Sequence, residues 1–304
     1  MNKRHLTGVI GLAAAASLVL AGCSTGGGDA DAGNSDTGDA SGTITLGFLP
    51  AWTDGLSTAY LLEDQLGKLG YDVKMTELTE AGVLYAGLAG GDFDMYPSAW
   101  PEVTHADYMD KYEDKIEDLG GYYDGAVLTI AVPDYMTDVN SIEDLKGQAD
   151  RFGGEIIGIE PGAGLTAQTQ DTMMPEYGLD SEYKLVTSST AAMLATLQEK
   201  IDKEEDVVVT LWRPFWANDA YPIKDLEDPK GAMGTPETLH FLGTDGFSDE
   251  FPEAAEYISK IKLDDAAYAA LEGLITGDEF DGDPEGAVQA WLKDNADAYP
   301  GLIA

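Results

Sequence analysis

The sequence predicts an α/β fold of two lobes, each a mostly parallel sheet flanked by helices, with two crossings between them forming a hinge. Three observations predict it. β-rich runs alternate with runs of helical period from residue 43 onward, the alternation completes two cycles, and the stretch after Gly234 is mainly helical. Strands that alternate with helices pair in parallel, because each helix carries the chain back to the same end of the sheet.

The first cycle reads as a strand at 43–48, a helix at 56–69, a strand at 73–78, a helix at 82–89 and a strand at 93–95. After Gly121 a second cycle opens with a strand at 126–132 that stops at Pro133. Ser141 with Asp144 three residues on has the pattern of a capping box, and a strand at 155–160 precedes Pro161-Gly162-Ala163-Gly164. A helix at 165–174, a strand at 184–186, a helix at 191–201 and a strand at 206–211 complete the cycle. The chain then passes through 238–242 and turns helical at 252–261, 264–276 and 284–295. This tail is expected to return to the first lobe, so that 43–130 with 238–304 form lobe 1 and 131–237 form lobe 2. The crossings then fall at 126–134 and 235–241, a geometry that lets a cleft close on a ligand.

At 304 residues and 44% hydrophobic, the chain has material for two such lobes. The 17 basic against 56 acidic residues give a formal net charge of -39, which repels nucleic acid and anionic lipid alike. Cys23 is the only cysteine, so no intrachain disulfide holds the fold. Lys3 and Arg4 precede an apolar run at 9–20, too short to span a bilayer, and then Leu20-Ala21-Gly22-Cys23. Residues 1–22 therefore read as a secretory signal peptide. The Leu-Ala-Gly-Cys ending resembles the bacterial lipobox, which implies acylation of Cys23 and a lipid anchor on the cell membrane. Residues 23–42, Gly, Asp, Ser, Ala and Thr almost throughout after the cysteine, are expected to be a flexible acidic tether.

Three apolar runs each end in an indole: Gly47-Phe48-Leu49-Pro50-Ala51-Trp52, Asp94-Met95-Tyr96-Pro97-Ser98-Ala99-Trp100, and Val207-Val208-Val209-Thr210-Leu211-Trp212. Ligands of open α/β sheets bind outside the carboxyl ends of strands, so Trp52, Trp100 and Trp212 are expected to meet in one cleft. Aromatic faces carry negative quadrupole and attract a cation that cannot hydrogen-bond, a quaternary ammonium above all. Any one Trp taken alone is more simply a core residue, and Trp291, at helical spacing, is read that way. Trp216 is an alternative to Trp212 as the third wall. His105 follows Trp100 by five residues and is a candidate donor to a carboxylate. Gly162-Ala163-Gly164-Leu165-Thr166-Ala167 fits the dinucleotide pattern G-x-G-x-x-A, with Asp180 and Glu182 downstream, but an exported protein has little access to NAD. The same helix start offers free N–H groups to another anion, so the Gly164 and Leu165 amides are assigned to a ligand carboxylate.

A cation cage beside anchors for an anion describes a zwitterion with a methylated ammonium. Gly158-Ile159-Glu160-Pro161-Gly162-Ala163-Gly164, Ala99-Trp100 with His105, and Val208-Val209-Thr210-Leu211-Trp212-Arg213-Pro214-Phe215-Trp216 resemble the substrate-binding lipoproteins of glycine betaine/proline betaine ABC transporters. The resemblance runs from about Thr43 to the C-terminus. It implies a type II-like periplasmic-binding-protein fold, an aromatic prism of Trp52, Trp100 and Trp212, and a carboxylate held by His105 with the Gly164 and Leu165 amides. It also implies an extracytoplasmic protein that serves osmoprotection by delivering solute to a membrane permease driven by a cytoplasmic ATPase. Leu211 and Phe215 depart from the Gly and His common at those places, and Arg213 is expected to point away from the cage or help the carboxylate. Choline, carnitine or another amino-acid-like solute is the alternative ligand. Gly-x-Ser-x-Gly, His-Glu-x-x-His and Walker A patterns are absent, so no catalytic role, metal or cofactor is expected.

Overall fold

The structure is a computed structural model that describes residues 42–299 and 301–303. The signal peptide at 1–22, Cys23 and the tether as far as residue 41 lie outside the described residues.

Two sets of strands and helices follow one another. The first comprises β1 (Thr43–Phe48), α1 (Thr53–Leu69), β2 (Asp72–Glu77), α2 (Ala81–Gly90), β3 (Met95–Ala99) and α3 (Ala106–Tyr112). The long β4 (Ile116–Pro133) leads into β5 (Glu155–Ile157), α4 (Gly164–Ala167), α5 (Met174–Tyr177), β6 (Lys184–Val186), α6 (Thr190–Asp202) and β7 (Val209–Arg213). Then come α7 (Ala217–Ala220), β8 (Ile223–Asp225), β9 (Glu237–Thr244), α8 (Phe247–Glu250), α9 (Pro252–Ile258), α10 (Asp265–Thr276) and α11 (Pro284–Asn295).

The strands run in the order β2-β1-β3-β9-β4-β7-β5-β6, with β8 also on β4. Pairing is parallel between β1 and its neighbours β2 and β3, and between β5 and its neighbours β6 and β7. It is antiparallel wherever β4 or β9 takes part. The α/β architecture is therefore a mixed sheet, parallel where helices make the crossover. β4 bonds β9 as far as Ala126 and β7 from Val127 onward, so this strand is shared by both halves. The chain returns to the first half between β8 and β9.

Local chemistry explains the elements. α1 stops at Gly70, whose φ of 108° lets its N–H turn back onto the Gly67 carbonyl. Ser141 and Asp144 do form a capping box, although what they cap is a 3-10 turn at Ile142–Leu145 rather than a longer helix. The predicted helix at 165–174 is α4, a π-helical stretch Gln168–Met173, and α5 in succession. β3 lies later than its predicted span of 93–95 and includes Pro97, which is tolerated because its register with β9 shifts between Tyr96 and Ala99. α1, α10 and α11 pack together, with Leu62, Leu66, Leu271, Val288 and Trp291 buried among the core residues. Among the described residues no helix is long and apolar enough to cross a membrane.

Candidate functional site

Where β1 stops, Leu49-Pro50-Ala51 turns and the Trp52 N–H closes the turn on the Leu49 carbonyl at 3.0 Å, setting Trp52 at the N-cap of α1. Where β3 stops, a second turn folds back on itself: the His105 N–H donates to the Trp100 carbonyl at 2.8 Å, and the Trp100 N–H donates to His105 Nδ1 at 3.2 Å. Trp212 stands one residue before the end of β7, opposite Leu128 of β4. These three indoles, with His105, Gly164 and Leu165, line one cavity, together with Asp54, Thr104, Leu128, Ile159 and Ala163.

Two of the indoles are held by carboxylates. Trp52 Nε1 donates to Glu160 Oε2 at 3.3 Å, and Glu160 also accepts from the Thr190 N–H at 2.8 Å and the Thr190 hydroxyl at 2.9 Å. Trp100 Nε1 donates to Asp54 Oδ2 at 3.3 Å, which Ser98 also reaches at 2.8 Å. Burial pushes the Asp54 carboxyl above its ordinary range, against the lowering effect of these two donors. Trp212 is fixed by packing instead: the Phe215 ring stacks on it with centroids 4.0 Å apart and planes 18° apart. The Asn218 amide then clamps the turn by donating to the Trp212 and Phe215 carbonyls at 2.8 and 2.9 Å.

His105 is 2% exposed, and burial alone lowers its pKa to about 3, so the ring is neutral at neutral pH. Its tautomer follows from its neighbours. Nδ1 faces the Trp100 N–H and, at 2.9 Å, the Tyr85 hydroxyl, whose pKa burial raises well above the ordinary value. Both neighbours carry a proton, so Nδ1 accepts and the ring proton sits on Nε2. Nε2–H makes no hydrogen bond among the described residues. Trp52 stacks on the His105 ring at 6.0 Å and 14°, so the imidazole lies nearly parallel to the indole.

The facing side of the cavity is the start of α4. Gly164 and Leu165 are in its first turn, and their N–H groups meet no acceptor among the described residues, as is usual for a helix start. The backbone here passes close to the β3 turn: a Cβ on Gly164 would lie 1.9 Å from the Thr104 carbonyl oxygen. No other residue type fits. The Tyr108 hydroxyl donates to the Gly162 carbonyl at 2.8 Å, making a second contact between the same segments. Glu237, the first residue of β9, accepts from the Val103 N–H at 2.7 Å, the Thr104 N–H at 3.0 Å and the Thr104 hydroxyl, anchoring the Trp100–His105 turn.

Other sequence-predicted candidates fall elsewhere. Trp216 does not line the cavity and packs against Phe215 and Tyr221. Arg213 turns away, its Nε donating to Asp225 Oδ2 at 2.6 Å. Trp291 is buried at 1% exposure beside Tyr299. Asp54, Glu160 and Thr104 escape a reading of the sequence. A carboxylate in the first turn of a helix looks like an ordinary dipole complement, and only the fold shows Asp54 under an indole.

The family described as the substrate binding domain of the ABC-type glycine betaine transport system matches residues 42–294. The chain belongs to this family. Members of the glycine betaine transport family bind solute and are not enzymes. The glycine betaine/carnitine transport binding protein GbuC of Listeria monocytogenes is 33% identical over 155 residues, half of this chain and half of that one. The glycine betaine, L-proline binding protein ProX of Borrelia burgdorferi has a crystal structure that is 30% identical, with a TM-score of 0.77 over 84% of this chain and 94% of that chain. Lactococcal OpuAC, in a closed-liganded conformation complexed with glycine betaine, is 34% identical, with a TM-score of 0.76 over 84% of this chain and 96% of that chain. The fold of this family is thus the periplasmic-binding-protein-like architecture expected from the sequence.

Proposed function

We propose that this protein captures glycine betaine or a closely related quaternary-ammonium zwitterion and delivers it to an ABC importer. The observation that carries the reading is the meeting of Trp52, Trp100 and Trp212 around one cavity with a neutral His105 and the free amides of Gly164 and Leu165. The three ring faces take the trimethylammonium head, each contributing ~0.5–2 kcal/mol once water is excluded. His105 Nε2–H and the two amides take the carboxylate, aided by the positive end of the helical segment that starts at Gly164. Asp54 adds negative charge on the cage side, and a bound cation pulls its raised pKa back down.

The lobes 43–130 with 238–304 and 131–237 close over the ligand by bending at β4 and at the return before β9, where the sheet changes partners. Closure brings Gly164 against Thr104, so the missing Cβ is what permits the closed state. Like other binding proteins of ABC importers the protein works outside the cytoplasm, and acylated Cys23 with its tether keeps it at the membrane beside the permease and ATPase.

Asp54 favours a second reading, in which choline is also accepted, since a cage that carries a carboxylate suits a ligand of net positive charge. Calorimetry of the purified full chain against glycine betaine, proline betaine, dimethylsulfoniopropionate, carnitine and choline tests both. Binding of the zwitterions is expected; failure of all five refutes the proposal.

A further inference from the structure

We propose that Glu160, outside the ligand cavity, is a positioning residue that latches the second half of the chain onto the first wall of the cage when the halves close on ligand. This rests on the reading of Trp52 as a cage wall and of the cleft as one that closes. Trp52 follows β1 in the first half, and Glu160 follows β5 in the second. Both side chains are buried, and Glu160 does not line the cage. Trp52 Nε1–H donates to Glu160 Oε2 at 3.3 Å, a bond between residues 108 apart in the chain. The first indole thus turns its N–H edge to an acceptor on the opposite half.

The acceptor is fixed within its own half before it meets the indole. Glu160 Oε1 accepts the Thr190 N–H at 2.8 Å and Oε2 the Thr190 hydroxyl at 2.9 Å, which ties the side chain to the start of α6. Its backbone carbonyl accepts the Thr166 hydroxyl at 2.8 Å and the Ala163 N–H at 3.1 Å, which ties the main chain to the start of α4. Two residues on, the Gly162 carbonyl accepts the Tyr108 hydroxyl, a second bond between the halves. The Tyr108 ring stacks on Tyr85 at 4.8 Å and 4°, and the Tyr85 hydroxyl bonds His105 Nδ1. The segment Glu160-Pro161-Gly162 therefore grips both sides of the site, the cation wall directly and the carboxylate donor through two stacked rings. Bonds that form only when the halves meet slow their parting and leave the first encounter with ligand untouched, so their effect falls on the dissociation rate. Replacing Glu160 by Gln separates the latch from the local ties. With its oxygen on the Thr190 N–H and its NH₂ donating to the Thr190 hydroxyl, the amide keeps both bonds within the half but sets a donor against the Trp52 N–H.

The test uses the full chain, with Glu160→Gln and Tyr108→Phe. Stopped-flow kinetics give the association and dissociation rates of glycine betaine, and nuclear magnetic resonance gives solvent exchange of the Trp52 indole N–H, assigned with Trp52→Phe. In the wild type, betaine is expected to slow that exchange at least about tenfold. In Glu160→Gln the protection is expected to vanish and betaine to dissociate about tenfold faster with association unchanged, as loss of one buried hydrogen bond implies. Tyr108→Phe is expected to speed dissociation while keeping the indole protection, since it breaks only the neighbouring bond. Unchanged dissociation or unchanged indole exchange in Glu160→Gln overturns the latch, and so does an affinity loss carried wholly by slower association. If glycine betaine does not bind the wild type, the functional reading fails; the contact is then decided in the ligand-free chain, where indole exchange equal in wild type and Glu160→Gln overturns it.

Discussion

Replacing His105 by Ala separates the two ligand classes. With Nδ1 occupied by the Trp100 N–H and the Tyr85 hydroxyl, the only proton the ring offers is on Nε2, so its service to a ligand is a single donated hydrogen bond. A hydrogen bond to a charged acceptor is worth ~1.5–3 kcal/mol, which is ~10- to 150-fold in Kd. The substitution also leaves the buried Trp100 N–H without its acceptor, at a cost of ~1–3 kcal/mol, but free and bound protein bear that cost equally, so it lowers Tm and cancels from Kd. Loosening of Trp52, which loses its stacked partner, weakens every ligand alike. The ratio of glycine betaine to choline affinity therefore isolates the carboxylate contact. Calorimetry at constant pH is expected to show glycine betaine weakened ~10- to 150-fold relative to choline. Equal weakening of the two refutes the assignment of Nε2–H to the carboxylate.

Other consequences follow from the same geometry. Gly164→Ala is expected to abolish high-affinity binding while leaving the fold intact by circular dichroism, because its Cβ would meet the Thr104 carbonyl at 1.9 Å; normal calorimetric affinity would show that the segments need not approach so closely. Trp212→Ala is expected to remove a cage wall worth ~0.5–2 kcal/mol of cation attraction, whereas Trp216→Ala changes betaine affinity less; the reverse order moves the wall by four residues. The buried His105 shapes acid stability, since an unfolded histidine takes a proton near 6.5 and the folded one only near 3. Stability is thus full above about 6.5 and falls as pH drops towards about 3, and a His105→Gln protein, followed by thermal unfolding, is expected to show a shallower fall over that window.

The parallel parts of the sheet are legible because each strand there is followed by a helix with a clear apolar face, as in Thr43–Phe48 and Thr53–Leu69. β4 is read only in its second half. Its opening, Ile-Glu-Asp-Leu-Gly-Gly-Tyr-Tyr-Asp-Gly, is charged and glycine-rich, and it holds strand geometry because β9 supplies its hydrogen bonds through three register shifts. α3 is missed for a similar reason: none of its residues is buried, so no apolar period marks it. At the site, aromatic residues at strand ends announce themselves by type and place. The carboxylates that orient them do not, since Asp54 and Glu160 acquire their meaning from partners as much as 108 residues away in the chain.

The central claim is that the three indoles attract positive charge and do not merely fit a branched apolar group. Glycine betaine and 3,3-dimethylbutanoate share the carboxylate and the three methyl groups and differ in having nitrogen or carbon at the branch point. Competition calorimetry between them is expected to favour glycine betaine by at least about tenfold, the lower bound for three desolvated rings. Equal affinities would contradict a cation cage and leave only a hydrophobic one.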